Sequence, residues 1–228
     1  MENTLRIILV IVLSYLVGSF PTAILVSKSF FGFDIRTKGS GNMGSTNAFR
    51  ILGWRWGLFV QLVDLAKGFI VVLLIAPYVG AGASLGNLTY FEDATIIKCI
   101  AGVAAVAGHI WTVFAQFKGG KGINTAAGML IAITPIDVGI AIGIFILAVI
   151  FSGYISLGSI TGAMAYPGSL IFRYNILNDT IPAYHLLSYF AVALAVLLIF
   201  THRKNIGRLL KGTENRFAKL QLVRYRKK

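Results

Sequence analysis

Long apolar runs, separated by short polar loops, organise this chain. Residues 3–27, 56–79, 95–116, 136–152, 154–173 and 183–201 each approach the roughly 20 apolar residues that a membrane-crossing helix requires. A shorter run, 123–134, lies between a basic loop and Pro135, and proline disrupts a continuous helix, so 123–134 and 136–152 read as separate helices. The pattern predicts an all-α polytopic membrane protein with seven transmembrane helices, the fourth of them short.

Polar positions decide which side each loop faces. All of the 21 Lys and Arg except Arg6, Lys67, Lys98 and Arg173 fall in three stretches, 28–55, 118–121 and 203–228, whose acids are Asp34 and Glu214. Loops rich in Lys and Arg stay in the cytoplasm. Seven crossings place all three stretches inside, with an extracytoplasmic N-terminus and a cytoplasmic C-terminus. Fusing 123–134 with 136–152 would send the basic tail outside. The loop holding Gly82, Gly86, Asn87, Glu92 and Asp93 is then external. Residues 3–27 carry only Arg6 as a leading charge, show no small-residue cleavage pattern before Pro21 and exceed a signal h-region, so a retained helix is expected. No internal repeat or low-complexity tract interrupts the chain, and residues 1–228 read as one domain.

Composition narrows the class. The chain has 228 residues, 57% of them hydrophobic and 13% charged, with a net charge of +13 and a mean hydropathy of +0.79. A soluble domain carries about 25% charged residues, and a disordered chain is poor in apolar ones. A basic nucleic-acid-binding domain would not combine its charge with this hydropathy. A single cysteine, Cys99, excludes an internal disulfide framework and a Cys-based zinc site. No His/Asp/Glu cluster suggests a metal, and no cofactor is expected.

The polar residues that can carry chemistry sit in three regions. The first reads Lys38-Gly39-Ser40-Gly41-Asn42-Met43-Gly44-Ser45-Thr46-Asn47-Ala48-Phe49-Arg50. Gly39, Gly41 and Gly44 permit close backbone approach to a ligand. Ser40, Asn42, Ser45, Thr46 and Asn47 add neutral donors, and Arg50 adds a fork suited to phosphate. A plain flexible turn between helices is the alternative. The second region, Gly108-His109 through Phe117-Lys118-Gly119-Gly120-Lys121-Gly122, opens a short helix, and a Gly-rich turn at a helix N-terminus suits an anion. It lacks the Walker A spacing, which argues against nucleotide hydrolysis. Lys118 and Lys121 can also simply mark the inner membrane face. The third region, 201–214, places His202, Asn205 and Arg208 on one helical face. Arg224 to Lys228 read as a tail on anionic lipid headgroups. Asp64 and Lys67, three apart inside a span, read as a mutual pair, with support of the loops as the alternative. His109 reads as a packing or loop-anchoring group, and Glu214 as a strut for its basic neighbours.

These three regions together resemble the acyl-phosphate-dependent glycerol-3-phosphate acyltransferases of bacteria, the PlsY family. The resemblance rests on Gly39-Ser40-Gly41-Asn42-x-Gly44-x-Thr46-Asn47 with Arg50, on Gly108-His109 through Phe117-x-Gly119-Gly120-Lys121-Gly122 with Thr125, and on His202-x-x-Asn205-Ile206-x-Arg208-Leu209 with Gly212 and Glu214. Ser45 stands where the family usually has Ala, Trp111-Thr112 where an aromatic-Pro pair is common, and Ile123-Asn124 where Val-Ala is common. The resemblance implies a seven-helix enzyme of the bacterial cytoplasmic (inner) membrane, with its active site facing the cytoplasm. It also implies acyl transfer from acyl phosphate to the 1-hydroxyl of sn-glycerol 3-phosphate, the first step of phospholipid synthesis, with membrane lipid around it, no nucleic acid and no obligate protein partner. The catalytic set is then Lys121, His202, Asn205, Ser40 and Arg50, which also bind glycerol 3-phosphate. Gly41, Asn42, Thr46, Asn47, Gly119, Gly120 and Gly122 bind acyl phosphate, and Asp64, Lys67, Arg208 and Glu214 support the site. His202 is expected to orient the glycerol hydroxyls beside Asn205, the leaving phosphate taking the proton; a general base is the alternative.

Two rival classes are a transporter of phosphate esters or other anions and a lipid-binding scaffold. Transporters tend to place their sites near the midplane, often between internal repeats. A scaffold leaves the glycine motifs without a role.

Overall fold

The computed structural model describes residues 2–85 and 91–217. Gly86, Asn87 and the 224–228 tail lie outside the described residues. Among the described residues there are helices and no strands. One compact unit, up to Thr134, holds α1 (Glu2–Ser19), α2 (Thr22–Phe31), α3 (Ser45–Ile51), α4 (Trp54–Ile70), α5 (Asp93–Ile110) and α6 (Ile123–Ile133). A second, from Pro135, holds α7 (Pro135–Ser152), α8 (Ile155–Asn175), α9 (Tyr184–Thr201) and α10 (Arg203–Leu210).

Six segments are long and apolar enough to cross a membrane: Glu2–Phe31, Trp54–Val79, Asp93–Ala115, Pro135–Ser152, Ile155–Asn175 and Tyr184–Thr201. The seventh expected helix, α6, has 11 residues. At about 1.5 Å per residue it is roughly half as long as the apolar layer is thick. Thr134 separates it from α7, which opens at Pro135, so the break expected at this proline is present.

Two expected helices are not continuous α-helices. The run 3–27 breaks between Ser19 and Thr22 and then extends to Phe31. Pro21 lacks an N–H and its ring cannot follow the preceding turn. The break leaves backbone carbonyls in apolar surroundings, where an unsatisfied group is costly. Thr112 Oγ1 donates to the Ser19 carbonyl, and Lys67 Nζ donates to the Phe20 carbonyl at 2.6 Å. Lys67 also pairs with Asp64 at 2.5 Å, both side chains being at most 4% exposed. The expected pair therefore exists, and its cation caps the helix break. The run 56–79 starts at Trp54 and changes to π-helical winding over Val71–Val79, the stretch in which Pro77 removes a backbone donor.

In the first unit α1 packs on α5 and α4 on α6. A Cβ on Gly18 would overlap the Ala105 backbone, and one on Gly128 would overlap the Leu65 carbonyl. Small residues at these crossings let the backbones approach, the usual route to helix association in lipid. Beneath the first polar loop, Ile24, Val26, Ile35, Met43, Ala48 and Val60 form a buried cluster that holds the loop to α2, α3 and α4. In the second unit α7 packs on α8, and α8 on α9. The buried Asp137 there accepts from Ser169 Oγ at 2.6 Å and Arg173 Nη1 at 2.8 Å. Leu62, Leu74, Leu147 and Val196 lie exposed along the spans, a surface suited to hydrocarbon.

Removing one partner of a buried ion pair costs about 3–5 kcal/mol. Lys67→Met leaves Asp64 without its lysine partner and takes the ammonium donor from the Phe20 carbonyl, and is expected to lower the unfolding midpoint in detergent, read by tryptophan fluorescence. Asp64→Asn combined with Lys67→Met should recover part of the loss. A midpoint unchanged by Lys67→Met would show that the helix break does not need this cap.

Candidate active site

The first polar loop leaves α2 through Gly32 and is organised from inside by one amide. Asn47, 1% exposed, shares its Nδ2 hydrogens among the carbonyls of Ile35, Lys38 and Asn42 at 3.2, 3.1 and 2.9 Å. Its Oδ1 accepts from the Ser40 N–H at 2.9 Å. Gly39 sits with φ +62°, and a Cβ there would overlap Asn47 Oδ1. Asn42 Oδ1 accepts from the Gly44 N–H at 2.8 Å, a tight side-chain turn that opens α3. Asn47 was expected to contact acyl phosphate; its amide is instead taken up by the loop backbone, and so is the Asn42 carbonyl oxygen. Gly41, exposed with φ +72°, lies at the turn. Ser40 is exposed there, and Thr46 and Arg50 are half-buried on α3.

The second loop begins at the end of α5, whose last four carbonyls all find partners. Ala107 O accepts from Trp111 N at 2.7 Å, Gly108 O from Ser19 Oγ at 3.3 Å, His109 O from Gly120 N at 3.0 Å and Ile110 O from Gly119 N at 3.0 Å. The last three of these lie where a helix end leaves carbonyls without intrahelical partners. The Gly119 and Gly120 N–H groups, expected to cradle a phosphate, close the end of α5 instead. Their lack of a side chain has the same cause. A Cβ on Gly119 would overlap the His109 carbonyl, and one on Gly120 the His109 Nε2. His109 is buried, with Nδ1 3.7 Å from Asp64 Oδ1. Lys121 follows, half-buried. Gly122, with φ +81°, opens α6, whose first turn has no side-chain cap.

Two contacts tie these loops together, and the sequence reading assigned neither. Asn124 Nδ2 donates to Ser45 Oγ at 2.9 Å and joins the first turns of α6 and α3. These are two of the positions at which the chain departs from the family pattern. Arg36 Nε and Nη2 hold Asp34 at 3.1 and 2.8 Å, while Nη1 donates to Ala115 O at 2.9 Å. The Arg36 hydrogen bond holds the Asp34 carboxyl below its ordinary value, against the upward push of burial. The signal was present as Asp34-Ile35-Arg36, but these charges were read only for membrane sidedness.

The third region has its own geometry in the second unit. His202, 2% exposed, ends α9 with Nδ1 2.8 Å from the Leu198 carbonyl. A carbonyl only accepts, so Nδ1 carries a hydrogen, which makes Nε2 the acceptor nitrogen whenever the ring is neutral. Asn205 Nδ2 donates to Glu214 Oε1 at 2.7 Å, and Arg208 Nε donates to Oε2 at 2.6 Å. Ser156, which the sequence did not single out, adds a bond to Oε1 at 3.1 Å. Because a carboxylate only accepts, Glu214 fixes the flip of the Asn205 amide. Glu214 thus pairs with Arg208, one of its basic neighbours. The Phe217 N–H donates to Gly153 O at 2.9 Å, so the segment after α10 folds back to the start of α8.

Burial pushes the Glu214 carboxyl up, but the bonds from Arg208, Asn205 and Ser156 together hold it below its ordinary 4.5. A carboxyl with a depressed folded value stabilises the fold above its unfolded value and loses that contribution as pH falls through the folded one. Lowering the pH from 5 is therefore expected to release residues 212–217, seen as a loss of amide protection there relative to the intrinsic exchange rate at each pH. Glu214→Gln should remove that pH dependence; persistence of the same dependence in this variant would contradict the assignment.

A family model described as glycerol-3-phosphate acyltransferase matches residues 8–212. The chain is 45% identical to the glycerol-3-phosphate acyltransferase of Chlorobaculum tepidum over 94% of its own length and 97% of the relative's. It is 44% identical to that of Chlorobaculum parvum, with the same coverage. Among solved structures it is similar to PlsY (YgiH), an integral membrane glycerol 3-phosphate acyltransferase. The TM-score to the glycerol 3-phosphate form is 0.78, at 32% identity over 94% of this chain and 96% of that one. The TM-score to the lysophosphatidic acid form is 0.74, at 31% identity over 97% and 98%.

Proposed function

The chain belongs to the glycerol-3-phosphate acyltransferase family, and from that premise we propose that it moves a fatty acyl group from acyl phosphate to the 1-hydroxyl of sn-glycerol 3-phosphate. The products are 1-acyl-sn-glycerol 3-phosphate and inorganic phosphate. The observation that carries the reading is the pair of loops joined by Asn124 and Ser45, one bearing Arg50 and the other Lys121. Asp34, the acid in these loops, is paired with Arg36, and the loops carry more cations than acids, which suits anionic substrates. The transporter reading gives way to the family match.

The donor carbonyl is already activated. The glycerol 1-hydroxyl attacks it, the bond from the acyl carbon to the phosphate oxygen breaks, and the leaving phosphate takes the hydroxyl proton. Such a reaction needs alignment and electrostatic stabilisation rather than a covalent acyl-enzyme, and Cys99 is buried within α5. Ser40 and Arg50 hold the glycerol 3-phosphate, and Lys121 neutralises phosphate charge. His202 Nε2 accepts from a glycerol hydroxyl, orienting it beside Asn205. Gly41 and Thr46, with the turn that Asn42, Asn47 and Gly122 shape, receive the acyl phosphate.

Across the membrane we place seven crossings, with α6 as the short fourth, the N-terminus extracytoplasmic and the basic loops in the bacterial cytoplasm. The family match runs through both compact units, which supports one acyltransferase domain.

Purified protein assayed with acyl phosphate, acyl-CoA and acyl carrier protein as donors should transfer from acyl phosphate alone. Equal transfer from either thioester would overturn the donor assignment. Lys121→Ala should lower turnover by about 10²-fold, the scale of one preorganised donor; activity above about a tenth of wild type would remove Lys121 from this role. Arg50→Lys, which keeps charge but loses the fork, should raise KM for glycerol 3-phosphate. For His202→Gln, residual turnover with a raised glycerol 3-phosphate KM supports orientation. A loss of about 10³-fold, together with loss of a pH-rate limb near neutrality, would identify a general base instead.

A further inference from the structure

Gln116 and Phe117, neither of them glycine, both have φ of +57°. Two successive side-chain-bearing residues in the left-handed region cost free energy and persist only where their surroundings hold them. The carbonyls on either side of this pair are both captured by one guanidinium. Arg36 Nη1 donates to Ala115 O at 2.9 Å and reaches Lys118 O at 3.5 Å. The same guanidinium is fixed from behind by both carboxylate oxygens of Asp34, which also caps the turn at Ile35–Thr37. One residue beyond Lys118 the chain enters the short path Gly119-Gly120-Lys121, pinned to the end of α5. The left-handed pair thus sets the direction in which the chain returns to α5 and delivers Lys121.

We propose that Arg36 is a positioning residue for acyl transfer: anchored on the first loop by Asp34, it holds the strained Gln116 and Phe117 turn of the second loop and so sets the place of Lys121. This rests on the acyltransferase reading for its kinetic consequence, but not for its structural one. Arginine is required because one fork must bind a carboxylate and backbone carbonyls together, which an ammonium cannot do in the same geometry.

The test uses the full-length protein in detergent. Arg36→Ala should speed tryptic cleavage after Lys118, located by mass spectrometry, by about tenfold or more, the scale of a lost charged hydrogen bond. Its kcat/KM should fall by a similar factor. Arg36→Lys should fall between the two and covers the case in which the alanine variant fails to fold. Gln116→Gly, which removes one left-handed side chain at an exposed position, should leave activity near wild type. In the Arg36→Ala background it should restore part of the lost kcat/KM, a rescue that general destabilisation would not show. Wild-type cleavage and kinetics in both Arg36 variants, or a loss that Gln116→Gly does not relieve, would overturn the proposal. If the wild-type protein transfers no acyl group from acyl phosphate, the functional reading fails, and the cleavage comparison still decides the role of Arg36.

Discussion

Backbone carbonyls freed where a helix stops or breaks need partners, and apolar surroundings supply none. Most of the polar architecture of this chain answers that constraint. Pro21 frees the carbonyls of Ser19 and Phe20, and Thr112 and Lys67 cap them. The end of α5 frees three more, which Ser19, Gly120 and Gly119 cap. The end of α9 is met in part by the His202 ring. Lys67 would be an expensive buried charge without Asp64, so the intramembrane ion pair follows from the helix break rather than standing apart from it.

The same constraint accounts for several of the motif residues. Asn47, Gly119, Gly120 and Glu214 are occupied with the protein itself. They build two loops and one strap whose shape is set by internal bonds. Ser40, Arg50, Lys121 and the Nε2 edge of His202 are the groups assigned to substrate. Rigid loops suit a reaction whose donor is already activated, because catalysis then consists mainly of holding two anions in the right geometry. The Asn124–Ser45 and Arg36–Ala115 bonds extend that rigidity from within each loop to the distance between them.

The helices were legible because apolar runs and basic loops are long-range, redundant signals. Pro135 correctly separated α6 from α7. Pro21, read only against a cleavage site, did not reveal the break at its own position. The residues of the candidate site are proposed from three local motifs. What each residue does was less legible. Glycine permits approach to a ligand and approach to another backbone equally well, and only the tertiary structure shows that Gly119 and Gly120 meet α5. Asn47 was read as a donor to substrate for the same reason. Arg36 was missed because its partners, Ala115 and Lys118, are about 80 residues away and contribute only carbonyls, which have no sequence signature.

The central claim is that the second loop is closed onto α5 before any substrate arrives. Amide hydrogen exchange at Gly119 and Gly120, measured without substrate and then with saturating glycerol 3-phosphate, tests it directly. The account predicts that both amides are already protected in the free protein, to a degree comparable with the last turn of α5, and change little on addition of glycerol 3-phosphate. Exchange at open-loop rates in the free protein, with protection appearing only when the phosphate ester binds, would contradict it and restore a backbone cradle for the substrate.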